Sequence, residues 1–180
     1  VAQDVGHLQH GGADALAHQA APAVLLKGQH GKAHHVYTAA HGCGARCKAA
    51  GIKFGYHNHS REFEKVEDRV MLDYMLENTD PDKVFFQMDV YWTVMGQASP
   101  VDYFTKYPGR FRLLHIKDRR EVGQSGMVGY DAIFCNAATA GVENIIVEME
   151  GSSYGDVLRS VRECVDYLNE APFVEASYAK

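Results

Sequence analysis

The chain has 180 residues, of which 46% are hydrophobic, and a formal net charge of −5; this suits one domain able to build a core. The acidic balance and the lack of a basic stripe argue against nucleic acid as a partner. No apolar run reaches the roughly 18 residues that cross a bilayer, and the first residues lack the positive-then-apolar order of a secretion signal, so no membrane partner is expected. Cys43, Cys47, Cys135 and Cys164 match no zinc-ribbon or CxxC spacing and read as free thiols of a reducing compartment. A cytoplasmic setting is favoured; export stays open, because the authentic N-terminus reads as lost.

Composition changes near residue 45. Residues 1–44 hold seven of the ten histidines (His7, His10, His18, His30, His34, His35 and His41), only Asp4 and Asp14 as acids, and no Phe or Trp. No sustained period of 2 or 3.6 runs through them, and the histidines lack the regular spacing of a metal tract. The segment is expected to be disordered, or to stand outside the gene's original coding frame. Residues 45–175 are expected to hold the folded part, and 176–180 a tail.

From Arg46 onward the elements follow in order. "ARCKAAG" reads as a helix end stopped by Gly51, and "IKFGYHNH" as a strand. Residues 68–79 carry helical spacing through Val70, Leu72, Tyr74, Met75 and Leu76. "KVFFQMDVYW" (83–92) is a strand, and "PVDYFTKYPG" (100–109) a helix opened by Pro and closed by Pro-Gly. "FRLLHIKD" (111–118) is a strand, "YDAIFCNAATAG" (130–141) a helix, "ENIIVEME" (143–150) a strand. Residues 154–170 form a long amphipathic helix with Val157, Leu158, Val161, Val165 and Leu168 on one face. The Gly-rich 123–129 lacks a nucleotide-binding pattern and reads as a loop leading into the next helix. Alternating strands and helices indicate parallel βαβ units, in a doubly wound sheet or a barrel.

Each strand starts apolar and ends polar: Tyr56-His57-Asn58-His59, Gln87-Met88-Asp89, His115-Ile116-Lys117-Asp118 and Glu148-Met149-Glu150. Barrels of parallel strands place their active sites at these C-terminal ends, and unpaired charges there cost several kcal/mol, to order of magnitude, unless a partner or metal satisfies them. Strand alternation lets one inward face collect His57, Asp89, His115 and Glu148. Two imidazoles and two carboxylates suit Mn²⁺, Co²⁺, Fe²⁺ or Zn²⁺ better than Ca²⁺.

"GIKFGYHNHSREFE", "FFQMDVYWTVMGQASPVDYF", "LLHIKDR" and "IIVEMEGSSYGDVLRSVRECVDYL" resemble the last four strands of sugar phosphate isomerase/epimerase proteins of the xylose-isomerase-like TIM-barrel superfamily. The resemblance implies an α/β fold, a partial (β/α)8 TIM barrel made of the last four βα units. It implies a divalent metal ion (Mn, Co, Fe, Zn or Mg) held by Glu, Asp, His and Glu, with Asp89, His115 and Glu148 at three of these positions and His57 where the first Glu is commonest. Glu62 is then an alternative carboxylate. Glu148, His57, Glu62 and Lys117 are the catalytic candidates; His59, Trp92, Lys117 and Glu150 are the candidates for substrate contact, with Tyr91 beside Trp92 as a second stacking ring.

The implied activity moves a proton between adjacent carbons of a sugar or sugar phosphate, so a sugar or polyol is the expected small-molecule partner. A lyase or dehydratase of the same superfamily acting on a keto-inositol or keto-glycoside is the first alternative, and an inactive barrel fragment the second. Four units rather than eight leave sheet edges unpaired, so a marginal or homo-oligomeric state is expected.

Overall fold

The computed structural model describes residues 32–178, with 32–39 described in backbone only. The expectations for residues 1–31, four of the seven clustered histidines included, fall outside the described residues, as do the last two residues of the tail. The main sheet has four strands in the order β1 (Phe54–His57), β4 (Val84–Asp89), β5 (Leu113–Lys117), β6 (Asn144–Glu148). β4 pairs with β5 and β5 with β6 in parallel, with Asp89 opposite His115 and Lys117 opposite Glu148. This is the α/β parallel architecture expected. Among the described residues no helix is long and apolar enough to cross a membrane.

The chain forms two compact units, one running to Tyr56 and including Lys65–Phe85, the other made of His57–Glu64 and the residues from Phe86 onward. In the first unit, helix α1 runs Lys32–Ala49. Its end at Gly51 is as expected, with φ +73° there and the Ile52 amide returning to the Cys47 carbonyl at 2.8 Å. It begins at Lys32, inside the segment for which disorder or a foreign reading frame is expected. Small and polar residues dominate this stretch and supply no apolar stripe, so the period was not visible. Gly44 is what lets the chain pass close by, since a Cβ there would stand 2.6 Å from the Lys83 carbonyl oxygen. The helix read over 68–79 starts late, because β2 (Lys65–Val66) and β3 (Arg69–Val70) form a hairpin first. Its two turn residues, Glu67 and Asp68, both have positive φ, which matches the twist of the paired strands. Helix α2 (Met71–Asn78) then buries Met71, Leu72, Met75 and Leu76.

The second unit starts with a 3₁₀ turn (Ser60–Phe63) and continues through the end of β4 into α3 (Val90–Met95) and α4 (Pro100–Lys106), the latter capped by Ser99 with Pro100 in its first turn. Here the strand expected to reach Trp92 stops at Asp89, whose side chain caps α3 and turns Tyr91 and Trp92 into helix residues. After β5 the chain forms α5 (Tyr130–Cys135) and α6 (Ala137–Ala140), one expected helix broken at Asn136. β6 leads to α7 (Val157–Glu170). Met88, Phe104, Phe111, Leu114 and Ile116 are inaccessible and form the core of this unit. α7 packs differently from expectation. Ser160, Cys164 and Leu168 are buried, whereas Val157, Leu158, Val161 and Val165 face outward, Leu158 being 80% exposed. Ile146 and Val147 on β6, the last strand of the sheet, are exposed as well.

Gly141 closes α6 at φ +81°, and a Cβ there would lie 2.8 Å from the Gly109 Cα. Gly141→Ala is therefore expected to cost at least about 1–2 kcal/mol from the left-handed conformation alone, measured as a shift in the urea midpoint at unchanged slope.

Candidate metal centre

The pleat of each strand sorts its side chains. On β4 Val84, Phe86 and Met88 are buried, while Gln87 and Asp89 take the opposite face. On β5 Leu114 and Ile116 go to the core, and His115 and Lys117 to the face shared with Asp89. His57 closes β1 and Glu148 closes β6.

Asp89 is wholly buried. Its Oδ1 accepts from the Trp92 amide at 2.8 Å, and its Oδ2 lies 3.0 Å from His115 Nδ1 and 3.7 Å from His57 Nε2. Asn58 grips its backbone from both sides: Asn58 Oδ1 accepts from the Asp89 amide at 3.2 Å, and Asn58 Nδ2 donates to the Asp89 carbonyl at 3.4 Å. Thr93 Oγ1 donates to the same carbonyl at 2.7 Å. The carboxylate is thus held before any ligand arrives.

The His57 ring stands 4.8 Å from that of His115, and its Nδ1 is 2.9 Å from Gln87 Oε1. Burial lowers the His57 pKa below its ordinary value and the neighbouring His115 and His59 add to this, outweighing the pull of Gln87 and Asp89 in the other direction. The ring is then neutral at pH 7 and keeps a lone pair. One ligand atom each from His57, Asp89 and His115 falls within 4.8 Å of the others. Donors bonded to one ion at about 2.1 Å lie within about 4.2 Å of each other, so the trio fits a divalent cation after a small closing shift.

The remaining candidates arrange themselves around this trio. Glu148 Oε2 is 3.9 Å from His115 Nδ1, outside the compact set of three. Glu148 and Glu150 both reach the buried Lys117, at 3.3 and 2.7 Å. Burial opposes the Lys117 charge, but the two carboxylates together outweigh it and raise its pKa. Its Nζ also sits 5.8 and 5.9 Å over the Tyr91 and Trp92 rings. His59 is exposed and lies beyond the strand, its ring 5.6 Å from that of Trp92. The Trp92 indole nitrogen is buried with no hydrogen-bond partner among the described residues. Glu62 is buried, with Oε2 accepting from the His59 amide at 2.8 Å, where it caps the 3₁₀ turn.

Sequence reasoning missed the residues that hold this face in place. Asn58 and Gln87 had a usable signal, one lying beside His57 and the other two positions before Asp89 on the same strand face. Glu121 had none. It is buried in the loop after β5 and reaches 32 residues along the chain to accept from the Ser153 amide at 2.8 Å and hydroxyl at 2.5 Å; it also accepts from the Ser160 hydroxyl at 2.5 Å. These bonds tie the loop after β6, which carries Glu150, to the loop after β5. Burial pushes the Glu121 carboxyl up, but the serine bonds overcome it and hold its pKa at about 2 against an ordinary 4.5.

A carboxyl depressed by folding contributes stability that is full above its unfolded value and lost as pH falls through the folded one. The melting temperature should therefore fall between about pH 4.5 and 2, and Glu121→Gln should flatten that part of the profile; an unchanged profile would remove Glu121 as its source. Lys117→Met should lower stability by about 1–3 kcal/mol, less than for a fully buried pair because Glu150 meets water. Adding Glu150→Gln should recover part of the loss, as read by chemical denaturation.

No family model matches the chain. Two crystal structures of a sugar phosphate isomerase/epimerase from Parabacteroides distasonis ATCC 8503 are 43% identical to it, with TM-scores of 0.76 and 0.75; each match covers 80% of this chain and 54% or 55% of the other. Among curated proteins, an inosose dehydratase from Lacticaseibacillus casei is 31% identical over 78 residues, 43% of this chain and 26% of that protein. An L-ribulose 3-epimerase structure shares the fold at 18% identity and a TM-score of 0.55. The matched stretch spans about half the length of these solved structures and about a quarter of the curated relative. Over 80% of its length the chain is thus similar, in sequence and in fold, to about half of a sugar phosphate isomerase/epimerase.

Proposed function

We propose that this chain carries the metal-binding half of an enzyme that shifts a proton between adjacent carbons of a sugar or sugar phosphate, as an isomerase or epimerase. The observation that carries the reading is the convergence of His57, Asp89 and His115 from three adjoining strands to within 4.8 Å. These three would hold the ion, with Glu148 next to them as a fourth ligand. A divalent ion in that place supplies a Lewis acid for a substrate oxygen beside the C–H bond that breaks. Glu148, part-exposed and 3.9 Å from His115, is the carboxylate that takes up the proton from the substrate carbon. Lys117 holds Glu148 and Glu150 in place and offers positive charge where an oxyanion develops. His59 and Trp92 form a rim for the sugar. Glu62 is the less available carboxylate, since its Oε2 is engaged in capping.

A second reading is favoured by the dehydratase relatives. Elimination of water from a keto-polyol opens with the same proton abstraction beside a carbonyl, and His57 in place of a carboxylate leaves one negative charge fewer in the site. The masses of the products separate the two readings, because isomerisation conserves mass and dehydration removes one water.

The metal-centre reading is tested by titrating Mn²⁺, Co²⁺ or Zn²⁺ into the chain and into Asp89→Asn and His115→Ala. The expected result is one ion per chain in the parent and a loss of stoichiometric binding in both variants. A parent chain that binds no ion would reduce it to a barrel portion without this chemistry.

A further inference from the structure

We propose that Gln87 is a positioning residue that fixes the proton of His57 on Nδ1, and so turns the lone pair of Nε2 toward Asp89 and the metal; this rests on the metal-centre reading above. A neutral imidazole carries one N–H and one lone pair. His57 Nδ1 is 2.9 Å from Gln87 Oε1, a carbonyl oxygen that can only accept. With the proton on Nε2, two lone pairs would face each other at hydrogen-bond distance, so the proton resides on Nδ1. The Nε2 lone pair then faces Asp89 Oδ2 at 3.7 Å. Two electron-rich atoms so placed repel each other, and a cation between them reverses the sign of that interaction.

The strand geometry explains why this residue serves. Gln87 and Asp89 are two positions apart on β4 and share one face, so a single pleat presents the same ring with an acceptor for one nitrogen and a ligand partner for the other. The amide is neutral, so it orients the ring without adding charge that would favour imidazolium, a form unable to bind metal. Outer partners of metal-binding histidines typically contribute about 10- to 100-fold in affinity.

Two measurements on the full chain test the proposal. Long-range ¹H–¹⁵N correlation spectra of the metal-free chain at pH 7.5, with His57 assigned by comparison with His57→Ala, should show a neutral ring protonated at Nδ1. Gln87→Leu should mix the tautomers or move the proton to Nε2. A parent ring protonated at Nε2, or a Gln87→Leu ring that keeps the parent pattern, overturns the proposal, and the first of these does not depend on the folding of Gln87→Leu. Calorimetric titration with Zn²⁺ should show Gln87→Leu binding about 10- to 100-fold more weakly than the parent. Equal affinity of Gln87→Leu and the parent overturns the proposal while the metal-centre reading stands. A parent that binds no Zn²⁺, Mn²⁺ or Co²⁺ sinks that reading instead, and the ring spectrum then still decides whether Gln87 sets the proton.

Discussion

The Asp89 carboxylate is the group on which the rest of this site is built. It is wholly buried, and an ion in such a place is tolerated only with several good partners. One oxygen takes the Trp92 amide and begins α3; the other faces His115 and His57. The helix start and the histidine cluster are therefore two halves of one electrostatic arrangement. Moving the strand-to-helix turn by a single residue would also move the carboxylate away from both rings.

A second polar layer lies beside the first. Lys117 is buried at the end of β5 between Glu148 and Glu150, and the Tyr130 hydroxyl donates to its carbonyl at 2.8 Å. Glu121 ties the loop that follows β6 to the loop that follows β5 through Ser153 and Ser160. Each charge in this layer is answered locally, so the layer can stand at the strand ends without any ligand. The His57–Asp89–His115 trio differs in composition: two imidazoles face one buried carboxylate, and among the described residues no lysine or arginine pairs with Asp89.

The outer surface of α7 and the β6 edge follow another logic. Val157, Leu158, Val161 and Val165 form the apolar stripe that a helical-wheel reading assigns to the core, yet they are exposed, and the buried line is Ser160–Cys164–Leu168. Ile146 and Val147 of the last strand are exposed as well. Periodicity identifies which residues of a helix are apolar; it does not say which face meets the rest of the protein.

The amino-acid sequence alone determined the alternation of strands and helices from residue 52 onward and the polar ending of each strand. Both depend on local pattern, with period 2 against 3.6 and Gly or Pro at the stops. It also determined which residues could share a face, since alternation along β4 and β5 puts Gln87 with Asp89 and His115 with Lys117 whatever the surroundings. Only the tertiary structure decided which of those residues meet. The parallel register that sets Asp89 against His115, the reach of Glu121 to Ser153 and Ser160, and the place of Glu148 with Lys117 rather than in the compact trio all join residues 26 to 39 positions apart. The helical run at 32–44 and the hairpin at Glu67–Asp68 were illegible for a related reason: neither carries a distinctive local pattern, so their form depends on neighbours supplied by the fold.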